Sequence, residues 1–230
     1  MENNKPVKEL ELYIIRHGQS MGNVGYDKDE ITLKEANDPY LTDLGIEQAQ
    51  KAGESLSDIH FDAVYSSALL RAVRTAAEII NKQPRPVALN IHPCLTEIGV
   101  SKEYTGADAE EIAEIFGDFS LDDSVSADSP ILSYNNNEDE EELFERAEKV
   151  IKSIRDKYNN GEKVAVVCHA GFMTYLVFSI MGFQKSVPVF DVNFNNTSVT
   201  KIIFYKEGTN KYGDIVFEYI NSIRHLTDKY

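Results

Sequence analysis

The chain is poor in cysteine, in cations and in long apolar runs, and each scarcity removes a class of protein. Cys94 and Cys168 are the only cysteines, and they form no CxxC or zinc-like pattern. Two thiols at unrelated positions read as reduced core residues, so neither a structural disulfide nor a thiolate metal site is expected. Lysine and arginine number 23 against 38 acidic residues, a net charge of −15. That balance argues against non-specific binding to nucleic acid or to an anionic membrane surface. It also means that an anionic ligand would need a local cluster of cations set against the field of the whole molecule. No apolar stretch approaches the length of a membrane span, and Met1 to Glu9 is polar and charged, unlike a secretory signal. A cytoplasmic protein that does not engage membranes is the resulting expectation. There is no internal repeat, and no histidine or carboxylate set has metal-ligand spacing, so no metal and no cofactor is expected.

What remains is ordinary for a folded domain: 230 residues, 42% hydrophobic and 27% charged, enough chain to bury a substantial core. Glu11 to Ile15 reads as a short apolar strand, and Phe61 to Tyr65 as a second. Pro86 to Ile91 reads as a third, and Lys163 to Cys168 as a strand buried on both faces. Helices are expected over Thr42 to Leu56 with Thr42 as N-cap, and after Leu69, where Leu69, Val73, Ala76 and Ile80 follow helical spacing. Two more are expected, over roughly 140–158 and from Phe172 to Met181. Segments near 188–194, 198–205 and 214–220 are rich in strand formers. The acidic patch Asn135 to Glu142 reads as a solvated loop whose acids favour the following helix N-terminus, with a lid as the other reading. Strands alternating with helices indicate an α/β sheet with parallel pairs.

In open α/β sheets, ligands bind beyond the carboxyl ends of the strands. After the first strand comes Arg16-His17-Gly18-Gln19-Ser20, with Asn23 beyond. After the second comes Ser66-Ser67-Ala68-Leu69-Leu70-Arg71, after the third Leu95-Thr96-Glu97, and after Lys163 to Cys168 comes His169-Ala170-Gly171. Singly, each has a structural reading: a lone histidine is more often structural, and Arg71 or Glu97 alone could be solvated. Together, two arginines and two histidines facing one cleft repel each other unless an anion belongs there.

These segments resemble the histidine phosphatase superfamily, the phosphoglycerate mutase-like family with an RHG motif. The likeness runs through Arg16 to Ser20 with Asn23, Leu41-Thr42-Asp43-Leu44-Gly45 with Gln48-Ala49, Ser66 to Thr75, and Val167 to Gly171. It implies a three-layer α/β fold, a mostly parallel central sheet with helices on both faces. It also implies a single domain over 1–230 with a variable substrate-facing or lid insertion at about 98–140. His17 would be the nucleophile that becomes a phosphohistidine, and its attack needs a neutral imidazole whose other N–H is held by an acceptor. Arg16, Arg71 and His169 would bind the phosphoryl oxygens. Asn23 would add a neutral donor, and Gly18, Gln19, Ser20 and Ala170 would complete the substrate-binding surface. Backbone N–H groups at the start of the helix after His169 could add more.

Glu97 would protonate the leaving oxygen and then activate water, with Glu103 as the competing candidate. Ser101 stands where the family pattern has a glycine, four residues after the acid. Arg74 reads as half of an ion pair and Cys168 as core. His60, His92 and His225 read as surface or turn residues, and Asn196-Thr197-Ser198 as either a pocket segment or a turn into a strand. Tyr104, Phe119 and Tyr134 either line or pack the variable segment.

The expected activity is that of a histidine acid phosphatase-type phosphoric monoester hydrolase acting without metal on a small phosphorylated substrate. A phosphoglycerate mutase-type transfer is the alternative, and a silent phosphate-binding module is a third. Glu97 to Gly106 does not match the tyrosine-glycine pattern that mutases carry after the acid, which favours hydrolysis. Oligomeric state is not legible.

Overall fold

The computed structural model describes residues 5–27, 29–121, 138–184 and 192–226. In chain order the elements are β1 (Lys8–Arg16), α1 (Met21–Val24), α2 (Leu33–Asn37), α3 (Asp43–Ser55), β2 (Ala63–Ser66), α4 (Leu70–Ile80), β3 (Leu89–Ile91), α5 (Ala109–Ile115), β4 (Phe119–Leu121), α6 (Glu140–Lys157), β5 (Glu162–Cys168), α7 (Ala170–Ile180), β6 (Val199–Tyr205) and β7 (Ile215–Ser222). Short 3-10 turns at Pro93–Leu95 and Arg224–Leu226 complete them.

The strands form one seven-stranded sheet in the order β4-β3-β2-β5-β1-β6-β7. From β4 to β1 every neighbouring pair is parallel, whereas β6 runs antiparallel to β1 and β7 antiparallel to β6. The handedness of crossovers explains the layers. The chain steps outward from β1 to β2, β3 and β4, which puts α3, α4 and α5 on one face. It then returns to β5, between β2 and β1, so the right-handed crossover through α6 must lie on the opposite face. Residue alternation records the same division. Leu10, Leu12, Ile14, Val164, Val166 and Cys168 pack with α6 and α7, while Tyr13, Ile15, Ala165 and Val167 pack with α4. The three-layer arrangement expected from the sequence is therefore observed.

The long elements fall within a few residues of their sequence-based bounds because burial and capping agree. Thr42 caps α3 by accepting from the Gly45 N–H at 3.0 Å. Asp139 and Glu142 form a capping box at the start of α6, with Glu140, Glu141 and Glu142 in the first turn. The helix expected from Phe172 starts earlier, at Ala170, directly after its N-cap His169. The elements without a sequence signal are α1, α2, α5 and β4, of 4, 5, 7 and 3 residues, too short for a period to register. Of the expected strand near 188–194, residues 192–194 are not strand; the rest, together with Tyr134 and Asn135 to Asn137, lies outside the described residues.

Register places the future site. Arg16 pairs with Cys168 across β1 and β5, and Ser66 pairs with Val167 across β2 and β5. The residues that follow, His17, His169 and Ser67, therefore leave the same edge of the sheet side by side.

Candidate active site

His17 is buried at the end of β1. Its Nδ1 lies 2.6 Å from the Gly18 carbonyl oxygen and must carry the proton it donates there. The Nε2 lone pair is left facing Arg71, whose Nε donates to it at 3.3 Å. Burial, with the Arg71 and Arg16 guanidinium groups close by, holds the imidazole pKa well below its ordinary value. The resting His17 is thus a neutral imidazole whose one lone pair, on Nε2, accepts from Arg71.

His169 follows β5 and is wholly buried, its ring centroid 5.1 Å from that of His17. Burial and the same two arginines also depress its pKa strongly. Its Nε2 lies 2.8 Å from Ser67 Oγ, and that oxygen already accepts the Leu69 N–H at 3.2 Å. Nε2 and the Ser67 hydroxyl share one hydrogen bond, in which either can be the donor. Nδ1 is buried and has no hydrogen-bond partner.

Arg16 is in the same condition. One amino group donates to the Phe194 carbonyl at 2.6 Å, while Nε is buried without a partner. Arg71, on the first turn of α4, is buried and donates through Nη1 to Asn37 O at 3.0 Å and Asp38 Oδ1 at 3.1 Å. Arg74, one turn on, pairs with Glu78 at 3.0 Å as expected of a structural residue.

Glu97 sits on the N-terminus of α7. Its carboxylate accepts from Gly171 N–H at 3.2 Å and from Phe172 N–H at 3.0 Å. A Cβ on Gly171 would lie 2.6 Å from Glu97 Oε1 and 2.8 Å from Ile98 Cγ1, so this approach requires glycine. The helix amides expected for a phosphate thus serve Glu97 at residues 171 and 172, leaving the Ala170 N–H, ahead of them, for a ligand. Glu103 instead points to solvent and hydrogen-bonds the Ser101 hydroxyl. Arg146, wholly buried on α6, donates to Cys94 O at 3.0 Å and Thr96 O at 2.8 Å. It also pairs with Glu138 at 2.8 Å and lies over the Phe172 ring. It fixes the chain immediately before Glu97.

The loop after β1 is strapped rather than open. Gly18 N–H donates to Thr75 Oγ1 at 3.1 Å, Gln19 N–H to Gln48 Oε1 at 2.9 Å, and Ser20 N–H to Asn23 Oδ1 at 3.0 Å. These amides are turned into the protein, so Gly18, Gln19 and Ser20 shape the loop instead of offering those donors. A Cβ on Gly45 would fall 1.9 Å from Gln19 O, and one on Gly18 would fall 2.3 Å from Gly45 O. Two glycines are what let the α3 backbone close on this loop. Asn23 also accepts from Asn196 Nδ2 at 3.1 Å, leaving its own NH2 group to face outward. Asn196 and Thr197 both donate to His17 O, and Thr197 has a φ of 54°. That segment is both turn and pocket wall.

Among the remaining histidines, His60 is exposed in a turn. His225 bonds Thr197 in the 3-10 turn at 224–226, and burial lowers its pKa to about 4. His92 is buried, not on the surface, and its Nδ1 accepts from Cys94 N–H at 3.3 Å. Neither cysteine forms a disulfide, and Cys168 lies in the core. No cluster of potential metal ligands occurs among the described residues. The sequence alone gives Asp38 and Arg146 no role, and it marks Gln48, Ser67 and Thr75 only as members of the family-like segments. Each acts across at least 25 intervening residues.

Two buried nitrogens without hydrogen-bond partners, Arg16 Nε and His169 Nδ1, thus lie beside a neutral imidazole at the carboxyl edge of the parallel strands, an arrangement that can receive an anion. The chain belongs to the histidine phosphatase superfamily (branch 1), whose family model matches residues 12–212. A Xenopus laevis protein, fructose-2,6-bisphosphatase TIGAR, is 31% identical over 106 residues, 45% of this chain and 36% of that protein. The Escherichia coli (strain K12) adenosylcobalamin/alpha-ribazole phosphatase is 27% identical over 186 residues, 75% of this chain and 80% of that one. The chain thus spans little more than a third of the TIGAR relative's length. Among solved structures, phosphoglycerate mutase from Bacillus anthracis str. Sterne superposes with a TM-score of 0.63 at 21% identity, over 96% of this chain and 97% of that one. At that identity the superposition speaks for the fold alone.

Proposed function

We propose that the protein is a metal-independent phosphatase that hydrolyses a small phosphomonoester through a phosphohistidine on His17. The observation that carries this reading is the pair of buried, unpartnered nitrogens, Arg16 Nε and His169 Nδ1, beside the Nε2 lone pair of His17. An unsatisfied buried polar group costs about 1–3 kcal/mol, and a phosphoryl group would satisfy both, with His169 as the Nδ1–H tautomer.

In the first step the Nε2 lone pair attacks phosphorus, the P–O bond to the leaving group breaks, and Glu97 gives its proton to the departing oxygen. Arg16, Arg71, His169 and the Ala170 N–H meet the charge on the equatorial oxygens, with Asn23 as a further donor. In the second step Glu97 takes a proton from water, the oxygen attacks phosphorus, and the P–N bond breaks to return neutral His17 and inorganic phosphate. Holding the nucleophile neutral by burial supports an acid phosphatase-type activity, because the lone pair survives at acidic pH. Glu97 is favoured over Glu103 because its carboxylate lies on the helix that begins at His169, whereas Glu103 faces solvent.

The single-domain reading is supported by one sheet that takes strands from Lys8 to Ser222, and segment 98–140 is read as the substrate-facing insertion. A cytoplasmic location fits the absence, among the described residues, of any helix long and apolar enough to cross a membrane. The test is hydrolysis of p-nitrophenyl phosphate in EDTA by the wild type and by His17→Ala. Turnover that disappears in the variant is the expected result, with a loss of roughly 10⁴-fold or more. Equal activity in both would overturn the mechanism, and phosphoglycerate isomerisation without hydrolysis would favour the mutase.

A further inference from the structure

The chain turn between α2 and α3 contacts the site more closely than its sequence suggests. Asn37 and Asp38 grip three separate pieces of it. Arg71 Nη1 donates to Asn37 O at 3.0 Å and to Asp38 Oδ1 at 3.1 Å. The Leu70 N–H, at the start of α4, donates to Asp38 Oδ2 at 2.7 Å. From the arm beyond Glu97, Tyr104 OH donates to Asp38 Oδ2 at 3.3 Å, and Ser101 N–H donates to Asn37 Oδ1 at 2.6 Å.

We infer that Asp38 is the positioning residue of the phosphate site, setting the plane of Arg71 and latching the Glu97 arm to it through Tyr104. The inference rests on the phosphatase reading above, in which Arg71 binds the phosphoryl group.

The Asp38 carboxylate has no solvent exposure. A helix N-terminus can be capped by serine or asparagine at similar benefit, so capping α4 does not by itself call for a buried charge. Arg71 does. Without a bound anion its guanidinium would stand in the interior beside a neutral imidazole, and an unpaired buried cation is very costly. Burial pushes the Asp38 carboxyl up and the Arg71 guanidinium down, and their mutual contact opposes both shifts.

The side from which the counter-charge comes is the functional point. Asp38 and Asn37 both take Nη1, the corner away from the nucleophile. Nε is left against His17 Nε2, and Nη2 makes no hydrogen bond among the described residues. A carboxylate on the other side would compete with the substrate. On this side it holds the cation in place, with Nε on His17 Nε2 and Nη2 left for the incoming phosphoryl oxygens. The same carboxylate ties Tyr104, seven residues after Glu97, so the acid-bearing arm and the phosphate-binding arginine share one anchor.

The test is Asp38→Asn, which keeps the shape and removes the charge, with unfolding followed by circular dichroism to fix the folded fraction at the assay temperature. A guanidinium tilted by a fraction of an ångström weakens the in-line geometry more than it weakens simple anion binding. We expect kcat/KM to fall roughly 10- to 100-fold, in line with the sensitivity of rate to a misplaced group. Inhibition by vanadate, which adopts the trigonal-bipyramidal geometry of transfer, should weaken about tenfold more than inhibition by inorganic phosphate. A purely structural residue would lower the unfolding temperature and leave that ratio alone. In an Arg71→Ala background, Asp38→Asn should add less than about threefold, because the two act as a unit.

Kinetics within twofold of wild type with an unchanged vanadate-to-phosphate ratio would overturn the inference, and so would losses from Asp38 and Arg71 that multiply. If Asp38→Asn does not fold, Tyr104→Phe removes one hydrogen bond to the same carboxylate. It should then lower kcat and weaken vanadate about three- to tenfold, and an unchanged enzyme would overturn the proposal. Retained activity in Arg71→Ala would remove the phosphate-site reading itself. Loss at Arg71 without loss at Asp38 or Tyr104 would remove this inference alone.

Discussion

The two walls of the cleft are built differently. The nucleophile wall consists of strand ends and the loop after β1, tied at nearly every amide: Gly18 to Thr75, Gln19 to Gln48, Ser20 to Asn23, and Gly18 against Gly45 at backbone contact. The acid wall is a single arm from His92 to Tyr104. It is held by Glu97 on two helix amides, by Arg146 on two carbonyls, and by Asn37 and Asp38 at its far end. Side chains from other elements hold both walls, Thr75 and Gln48 on the first and Arg146, Asn37 and Asp38 on the second. The first has in addition the register of neighbouring parallel strands beneath it.

The sharpest way to break that contrast is at the acid itself. Glu97→Gln should lower kcat by roughly 10²–10⁴-fold for an ester with a poor leaving group, and less for p-nitrophenyl phosphate, whose oxygen needs little protonation. An equal loss with both esters would speak against a general acid. Gly45→Ala attacks the other wall. Its Cβ would press on the Gln19 backbone, and a loop displaced by about 1 Å should cost on the order of 10²-fold in kcat/KM together with a lower unfolding temperature. Wild-type kinetics in this variant would show that the wall yields.

Arg146→Ala is expected to act on the arm alone. It leaves Glu138 without its partner and should destabilise the fold by roughly 3 kcal/mol. At a temperature where the variant is folded, kcat should fall about tenfold, with phosphate affinity retained. Matching losses in kcat and phosphate affinity would mean that the two walls are not separable. Glu103→Gln, at an exposed carboxyl, should stay within about twofold of wild type.

The pH profile examines the nucleophile wall without mutation. A histidine of ordinary pKa, about 6.5, would protonate and lose its lone pair as pH falls through that value. Burial and two arginines lower the His17 pKa well below it, so the unprotonated nucleophile persists to more acidic pH. The acid limb of kcat/KM should therefore lie below that ordinary value. A limb at about 6.5 assigned to His17 would contradict the neutral-by-burial account.

Legibility in the sequence followed the same division. Long strands and helices were readable because their apolar spacing spans several turns, as in Lys163 to Cys168 and the helix capped by Thr42. The motif residues of the nucleophile wall were readable because each directly follows a strand. His92 fits the turn reading rather than the surface one, since it caps the 3-10 turn at Pro93–Leu95 from a buried position. The helix amides of α7 were assigned to phosphate because nothing in the chain says that Glu97 lies across them.

By itself, then, the sequence determined the α/β class and the edge of the sheet where the chemistry gathers. It also brought Arg16, His17, Arg71 and His169 to that edge, because strand alternation and the residues after a strand are local properties. Only the tertiary structure decided that Arg71 meets the His17 lone pair, that Asp38 faces Arg71 from behind, and that Arg146 braces the arm of Glu97. Those contacts join residues 33 to 54 positions apart in the chain, and such pairings are fixed by packing rather than by any pattern between the two positions.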